Sequence, residues 1–335
     1  MRRTALLAAA AIVSTALAGC GRPMYFGGWV SEWHPDVSLL KDNPRLFDSV
    51  SFSWCHIQAD GSLKRVAPAD RDELVKWAKK HGIKVYVTIG SGVPGITGKA
   101  GTRAVKELVA VCEQYGFDGV DVDIEMLGKP ARDTYTLFIT RLAEALKTMK
   151  TPRRLSVTLQ EVQNEKDEAN LCSDYAVAGR LADEVRIMCY DISWDEPGPI
   201  MSREAFARDL AFAKSRIPAD KLVMAVPWYG RDWNITDKTH EDILWRMTDA
   251  RDGIMGMDEI VGKFGGKPVW REPEGELSYT YTVGGKLHEV WMADPRQFEW
   301  MVDEVRKAGV RGVYIWQLEY ASPEFIPVVR RKVKR

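Results

Sequence analysis

The run Asp118-Gly119-Val120-Asp121-Val122-Asp123-Ile124-Glu125 alternates acid and β-branched residue across its last five positions. In a strand, successive side chains point to opposite faces. Asp121, Asp123 and Glu125 therefore share one face, while Val122 and Ile124 pack on the other. Steps of two residues set the carboxylates about 7 Å apart. Like charges that close disfavour joint ionisation, and burial raises a carboxyl pKa further. Such a row suits the task of holding one carboxylic acid protonated near neutral pH, as a general acid must be. A hard-cation site is the other chemistry open to three carboxylates. Asp118 has the opposite parity and sits near the strand start, where turn or strand-entry hydrogen bonds are its expected role.

The elements that must position this run alternate strand-like and helix-like patterns, the mark of an α/β fold with a parallel sheet. Strands are expected at 24–30, 48–54, 84–89, the acid run, 155–159, 184–190, 222–228 and 312–316. Helices are expected at 67–80, 102–115 (capped by Thr102, closed by Gly116), 133–149, 175–181, 203–216, 296–307 and 323–333. Eight strands mostly separated by helices predict a (β/α)8 TIM barrel over residues 20–335. One segment, about 232–294, is too long for an ordinary βα loop. Its strand-like pieces and its turn Gly284-Gly285 predict a small α+β lobe inserted between the seventh strand and its helix.

Active sites of such barrels lie at the C-terminal strand ends. Those ends deliver Trp29, Trp54, the turn Gly90-Ser91-Gly92, Glu125, Tyr190 with Asp191, then Trp228, Tyr229 and Arg231, and last Trp316 with Gln317. Acids, a tyrosine and large aromatics converging on one mouth fit a carbohydrate site. The 12 Trp and 11 Tyr of the chain supply flat faces on which sugar rings stack.

Lys+Arg and Asp+Glu both number 47, so the formal net charge is zero and no basic surface invites nucleic acid. The tail Arg330 to Arg335 reads as the solvated end of the last helix. Residues 1–19 join basic Arg2-Arg3 to a short apolar run, too short to span a bilayer comfortably. Leu17-Ala18-Gly19-Cys20 resembles a bacterial lipobox, which implies export and a lipid anchor on Cys20; an ordinary export signal is the alternative. Cys55, Cys112, Cys172 and Cys189 allow three complete pairings or none. No Cys/His cluster suggests a structural zinc site.

The acid run matches the DxxDxDxE signature of family 18 glycoside hydrolases, the chitinase-like barrels. Met188-Cys189-Tyr190-Asp191 resembles the family's M-x-Y-D, and Pro227-Trp228-Tyr229-Gly230-Arg231 its P-x-Y-G-R. Trp316 stands where the family places the tryptophan that floors its sugar pocket. Gly90-Ser91-Gly92 matches the family's S-x-G-G only in part. Lys221 to Gly230 looks most like di-N-acetylchitobiase, and His288-Glu289-Val290-Trp291 resembles both that enzyme and spore-germination-type members.

The resemblance implies retaining hydrolysis of β-linked N-acetylglucosamine glycans in which the substrate's own 2-acetamido oxygen attacks the anomeric carbon. Glu125 would be the acid/base, Asp123 would polarise the acetamide N–H, and Asp121 would share a proton deeper in the barrel. Tyr190 and Asp191 would hold the acetamido group. Trp316 would stack beneath the sugar, with Trp228, Tyr229, Arg231, Trp29 and Trp54 as further substrate contacts. No cofactor or metal is implied, and a monomer is expected. A glycan-binding or envelope-remodelling lipoprotein that does not hydrolyse is the alternative; lectin-like members usually lose the final Glu, which this chain keeps.

Overall fold

The computed structural model describes residues 23–32, 36–67, 70–194, 196–237, 239–241, 243–245, 256–320 and 322–334. Residues 1–19, expected to be an export signal, and Cys20 lie outside the described residues. Eight parallel strands close on themselves in chain order: β1 (Tyr25–Val30), β2 (Ser49–Ile57), β3 (Lys84–Ser91), β4 (Gly119–Val122), β5 (Arg154–Gln160), β6 (Glu184–Met188), β7 (Leu222–Pro227) and β11 (Gly312–Trp316). The β1–β2 and β1–β11 pairings complete the barrel. Around it lie α1 (Arg71–Lys80), α2 (Gly98–Tyr115), α3 (Arg132–Thr148), α4 (Tyr175–Leu181), α5 (Arg203–Arg216) and α7 (Pro295–Ala308).

Strand parity sorts the sequence into two cores. Even-numbered β4 and β7 residues (Val120, Val122, Leu222, Met224, Val226) face the helices and join one large aliphatic layer. Val223 and Ala225 of β7 and Tyr314 of β11 turn inward and meet Trp29, Met188 and Tyr190. The closed interior leaves little room, and Gly27 shows how little. A Cβ there would stand 2.1 Å from the Tyr314 ring, so glycine lets that ring cross the barrel floor.

The lobe is a six-stranded antiparallel sheet. It opens earlier than expected, with β8 (Gly230–Asn234), and includes β9 (Glu276–Val283), β10 (Lys286–Met292) and the helix α6 (Met257–Phe264). Gly284 and Gly285, both at positive φ, make the tight turn that joins β9 to β10. Glu276 fastens the lobe to the barrel. Its carboxylate accepts from the amides of Ile200 and Met201 and from Gln297 Nε2, at 3.1, 3.2 and 2.9 Å.

Three local expectations change. Helix α2 begins at Gly98, and Thr102 lies within it, its hydroxyl bonded to the Gly98 carbonyl. The last helix is broken into a 3-10 turn (Pro323–Phe325), a short helical piece and a π turn (Val329–Val333). Its basic residues meet solvent, with Arg330 and Arg331 exposed, and are also paired: Arg331 with Glu299 at 2.6 Å and Lys332 with Asp303 at 2.9 Å. Cys55, Cys112, Cys172 and Cys189 are buried free thiols. Among the described residues no helix is long and apolar enough to cross a membrane.

Candidate active site

Each member of the acid run meets a different environment. Asp118 sits at the strand entry, where it accepts from the Val85 amide at 2.9 Å. Asp121 is fully buried at mid-barrel. One oxygen accepts from Trp29 Nε1 (2.8 Å), Thr88 Oγ1 (3.0 Å) and Arg186 Nη1 (3.1 Å), and the other from Thr158 Oγ1 (2.9 Å). Arg186 in turn donates to Glu184 at 2.7 Å and lies 3.7 Å from the Tyr314 ring centroid. The deep acid thus has a cation and a full set of donors.

The ladder then changes character. Regular β4 pairing ends at Val122, and one further amide bond, Asp123 N to Ile89 O, carries the chain to the mouth. Asp123 Oδ1 is enclosed and has no hydrogen-bond partner. Burial, then the charges of Glu125 and Asp121, hold the Asp123 carboxyl well above the usual carboxylate range, with Arg186 offsetting part of the rise. Glu125 lines the cavity, partly covered by protein and partly open to solvent. That partial burial, then the charge of Asp191, raises its pKa as well.

A cavity of about 310 Å³ adjoins Glu125, lined by Met126, Gln160, Glu161, Met188, Tyr190, Asp191 and Trp194. Asp191 is held from the lobe side. Arg231 grips it through Nε and Nη2, both at 2.9 Å, and Tyr229 donates its hydroxyl at 2.6 Å. Trp316 is partly buried and stacks nearly parallel to Tyr190, 6.5 Å between centroids. Met126 and Asp191 are the two non-glycine residues at positive φ among the described residues, with φ of 59° and 61°. Side chains rarely adopt that conformation, and it tends to collect at functional sites. Both flank Glu125.

The structure brings Asp123, Glu125, Tyr190, Asp191, Tyr229, Arg231 and Trp316 to one mouth with Asp121 beneath them at mid-barrel, but it moves three tryptophans elsewhere. Trp228 is buried against Phe325 and Phe298 in the layer between barrel and helices. Trp54 is buried in the same layer, stacked 4.0 Å from Phe52. Both have the outward parity of their strands, so neither faces the mouth. Trp29 does point inward, but at 1% exposure it lies under the site and spends its N–H on Asp121. The strand-end survey missed Arg186, Gln160, Glu161, Met126 and the role of Trp194. Arg186 had a signal, since a Glu-x-Arg pair in a buried strand places both charges on one face.

A closed parallel barrel with raised carboxyl pKa values and stacked aromatics at its C-terminal mouth is the architecture of a glycosidase. The comparisons agree: residues 22–321 match the model of the glycosyl hydrolases family 18, and the chain belongs to that family. It is 24% identical over 286 residues to the uncharacterized glycosylase YvbX of Bacillus subtilis, covering 83% of this chain and 80% of that one. It is 23% identical over 301 residues to the di-N-acetylchitobiase of Mus musculus, covering 81% and 80%. The chain spans about half the length of the curated cortical fragment-lytic enzymes that it also matches. Its fold superposes on a chitinase from Chromobacterium violaceum with TM-score 0.83 and 22% identity, over 93% of this chain and 99% of that one.

Proposed function

We propose that this glycosidase cleaves β-linked N-acetylglucosamine glycans by retaining, substrate-assisted catalysis, with Glu125 as acid and then base. The observation that carries the reading is the pair of upper acids. Glu125 stands at the cavity edge with its pKa raised, and just below it Asp123 presents an enclosed oxygen with no protein partner. A 2-acetamido N–H supplies the donor that Asp123 lacks. The acetamide is thereby oriented so that its oxygen bonds to the anomeric carbon as the glycosidic C–O bond breaks and Glu125 protonates the leaving oxygen. Ionised Glu125 then takes a proton from water, whose oxygen displaces the acetamide from the same carbon. Two inversions retain configuration. Tyr190 and Asp191 border the acetamide position, and Trp316 provides the stacking face.

The names of the similar proteins, a chitobiase and a chitinase, support an N-acetylated amino sugar as substrate. The lipobox-like Leu17-Ala18-Gly19-Cys20 supports an exported protein anchored through Cys20 in the cell envelope. Cleavage of N-acetylglucosamine oligomers followed by proton NMR tests the reaction. The expected first product is the β-anomer, with no cleavage of matching oligomers that carry a 2-hydroxyl. A first-formed α-anomer, or equal rates on the 2-hydroxyl oligomers, would overturn the substrate-assisted route. Binding without any cleavage would favour a glycan-binding envelope protein instead.

A further inference from the structure

Three neighbouring strand ends form a row at the mouth. His56 of β2 pairs with Gly90 of β3, and Asp123 follows on β4, tied by its amide to the Ile89 carbonyl. Gly90 has the inward parity of Thr88, which meets Asp121, so the row faces the barrel interior. Gly90 contributes no side chain to it. A Cβ placed there would meet the Asp123 carbonyl oxygen at 3.6 Å and His56 Nδ1 at 3.7 Å, both ordinary contact distances. Glycine thus leaves an open slot with Asp123 at one end and the imidazole at the other. The cavity lies on the other side of Asp123, walled from the ends of β4, β5 and β6.

The imidazole is held from behind. Its Nε2 is 2.8 Å from a carboxylate oxygen of Glu32, just past the end of β1, and the pair is partly exposed. A carboxylate only accepts, so Nε2 carries the proton and Nδ1 of the neutral ring is an acceptor. Nδ1 borders the slot and has no hydrogen-bond partner among the described residues.

Under the substrate-assisted reading, Asp123 takes the N–H on C2 of the attacked sugar and Glu125 takes the oxygen on C1. C1 and C3 flank C2 in the ring. With C1 on the Glu125 side, C3 lies on the opposite side of Asp123, where the Gly90 slot opens. The C3 oxygen is thereby directed along the slot toward His56. Resting on that reading, we propose that His56, oriented by Glu32, is a specificity residue that binds the free C3 hydroxyl of the attacked sugar through Nδ1. A hydroxyl donates to that nitrogen. An ether at C3 has no proton to donate, and its alkyl group would run into the ring. The attacked unit is therefore N-acetylglucosamine unsubstituted at C3. In a glycan whose alternate units carry a 3-O-lactyl ether, cleavage falls at the anomeric carbon of the unsubstituted units only.

Binding in the Glu125→Gln background tests this without turnover. Calorimetry would compare the tetramer of N-acetylglucosamine with tetramers that lack the C3 hydroxyl at each position in turn. Removal at one position is expected to weaken binding about 10-fold, the loss of one hydrogen bond. That unit should be the one that becomes the new reducing end when the wild-type protein cleaves the tetramer. Adding His56→Leu, which keeps bulk and removes the ring nitrogens, should bring the ratio at that position to about one. Taking a ratio cancels any general loss of affinity. No loss at any position, a loss that survives His56→Leu, a loss at a unit other than the new reducing end, or no binding of any tetramer overturns the proposal. Failure of the wild-type protein to cleave the tetramer counts against the hydrolase reading alone, since the binding ratio still reports on His56.

Discussion

The lower and upper halves of the barrel interior hold similar numbers of acids under opposite rules. Below, Asp121 and Glu184 share Arg186, and Trp29, Thr88 and Thr158 complete the Asp121 shell. Above, Asp123, Glu125 and Glu161 have no cation of their own among the described residues, and all three carboxyls are raised. The paired half anchors the fold, because removing one partner from a buried ion pair strands the other. In the unpaired half the carboxyl pKa values are raised, because burial and like charge favour the neutral acid. A row of acids that looks uniform in sequence is thus split by one buried arginine.

Variants at the two levels should fail in different ways. Glu125→Gln is nearly isosteric and cannot donate a comparable proton. Initial rates on N-acetylglucosamine oligomers should fall about 10²–10⁴-fold, with thermal stability unchanged. Arg186→Met should do the reverse of that pattern, lowering stability by about 3–5 kcal/mol in urea unfolding because Asp121 and Glu184 lose their shared cation. If Arg186→Met kept full stability, the lower half would not be the anchor described.

A smaller effect separates the halves by pH. The Asp123 carboxyl is raised on folding, so between its unfolded and folded values the native state binds the extra proton. Stability from this group is therefore lost as pH rises through that window. Asp123→Asn removes the titration and should gain about 1 kcal/mol over wild type at alkaline pH for each unit of the rise, with little gain near pH 3. A gain independent of pH would mean that Asp123 is not held protonated.

Much of this organisation is legible in the residues. The barrel follows from the repeated strand and helix patterns, and the inward row of Asp121 and Asp123 from simple alternation. Alternation also explains the tryptophans, once it is applied to every strand. Trp228 has the parity of Val226, and Trp54 that of Phe52, so both belong with the helices. Choosing residues by their nearness to a strand end ignored which face they were on. The positive φ of Met126 and Asp191 had no such signal, because neither residue type announces that conformation. Glu161 was hidden for another reason: its raised pKa comes first from burial that only the fold creates, and then from the charges of Asp209, Asp191 and Glu125, which the fold brings near.

The claim that burial and the charge of Asp191 raise the Glu125 pKa has one direct test, the pH dependence of kcat/KM in the wild type and in Asp191→Asn. Loss of the proton from Glu125 sets the alkaline limb, and the charge of Asp191 raises that pKa. Asparagine removes this charge and leaves Arg231 without its carboxylate partner, and both changes favour ionised Glu125. The wild-type limb should lie above the ordinary glutamate value and move to lower pH in Asp191→Asn. A wild-type limb at the ordinary value, or a limb that does not move, would contradict the account.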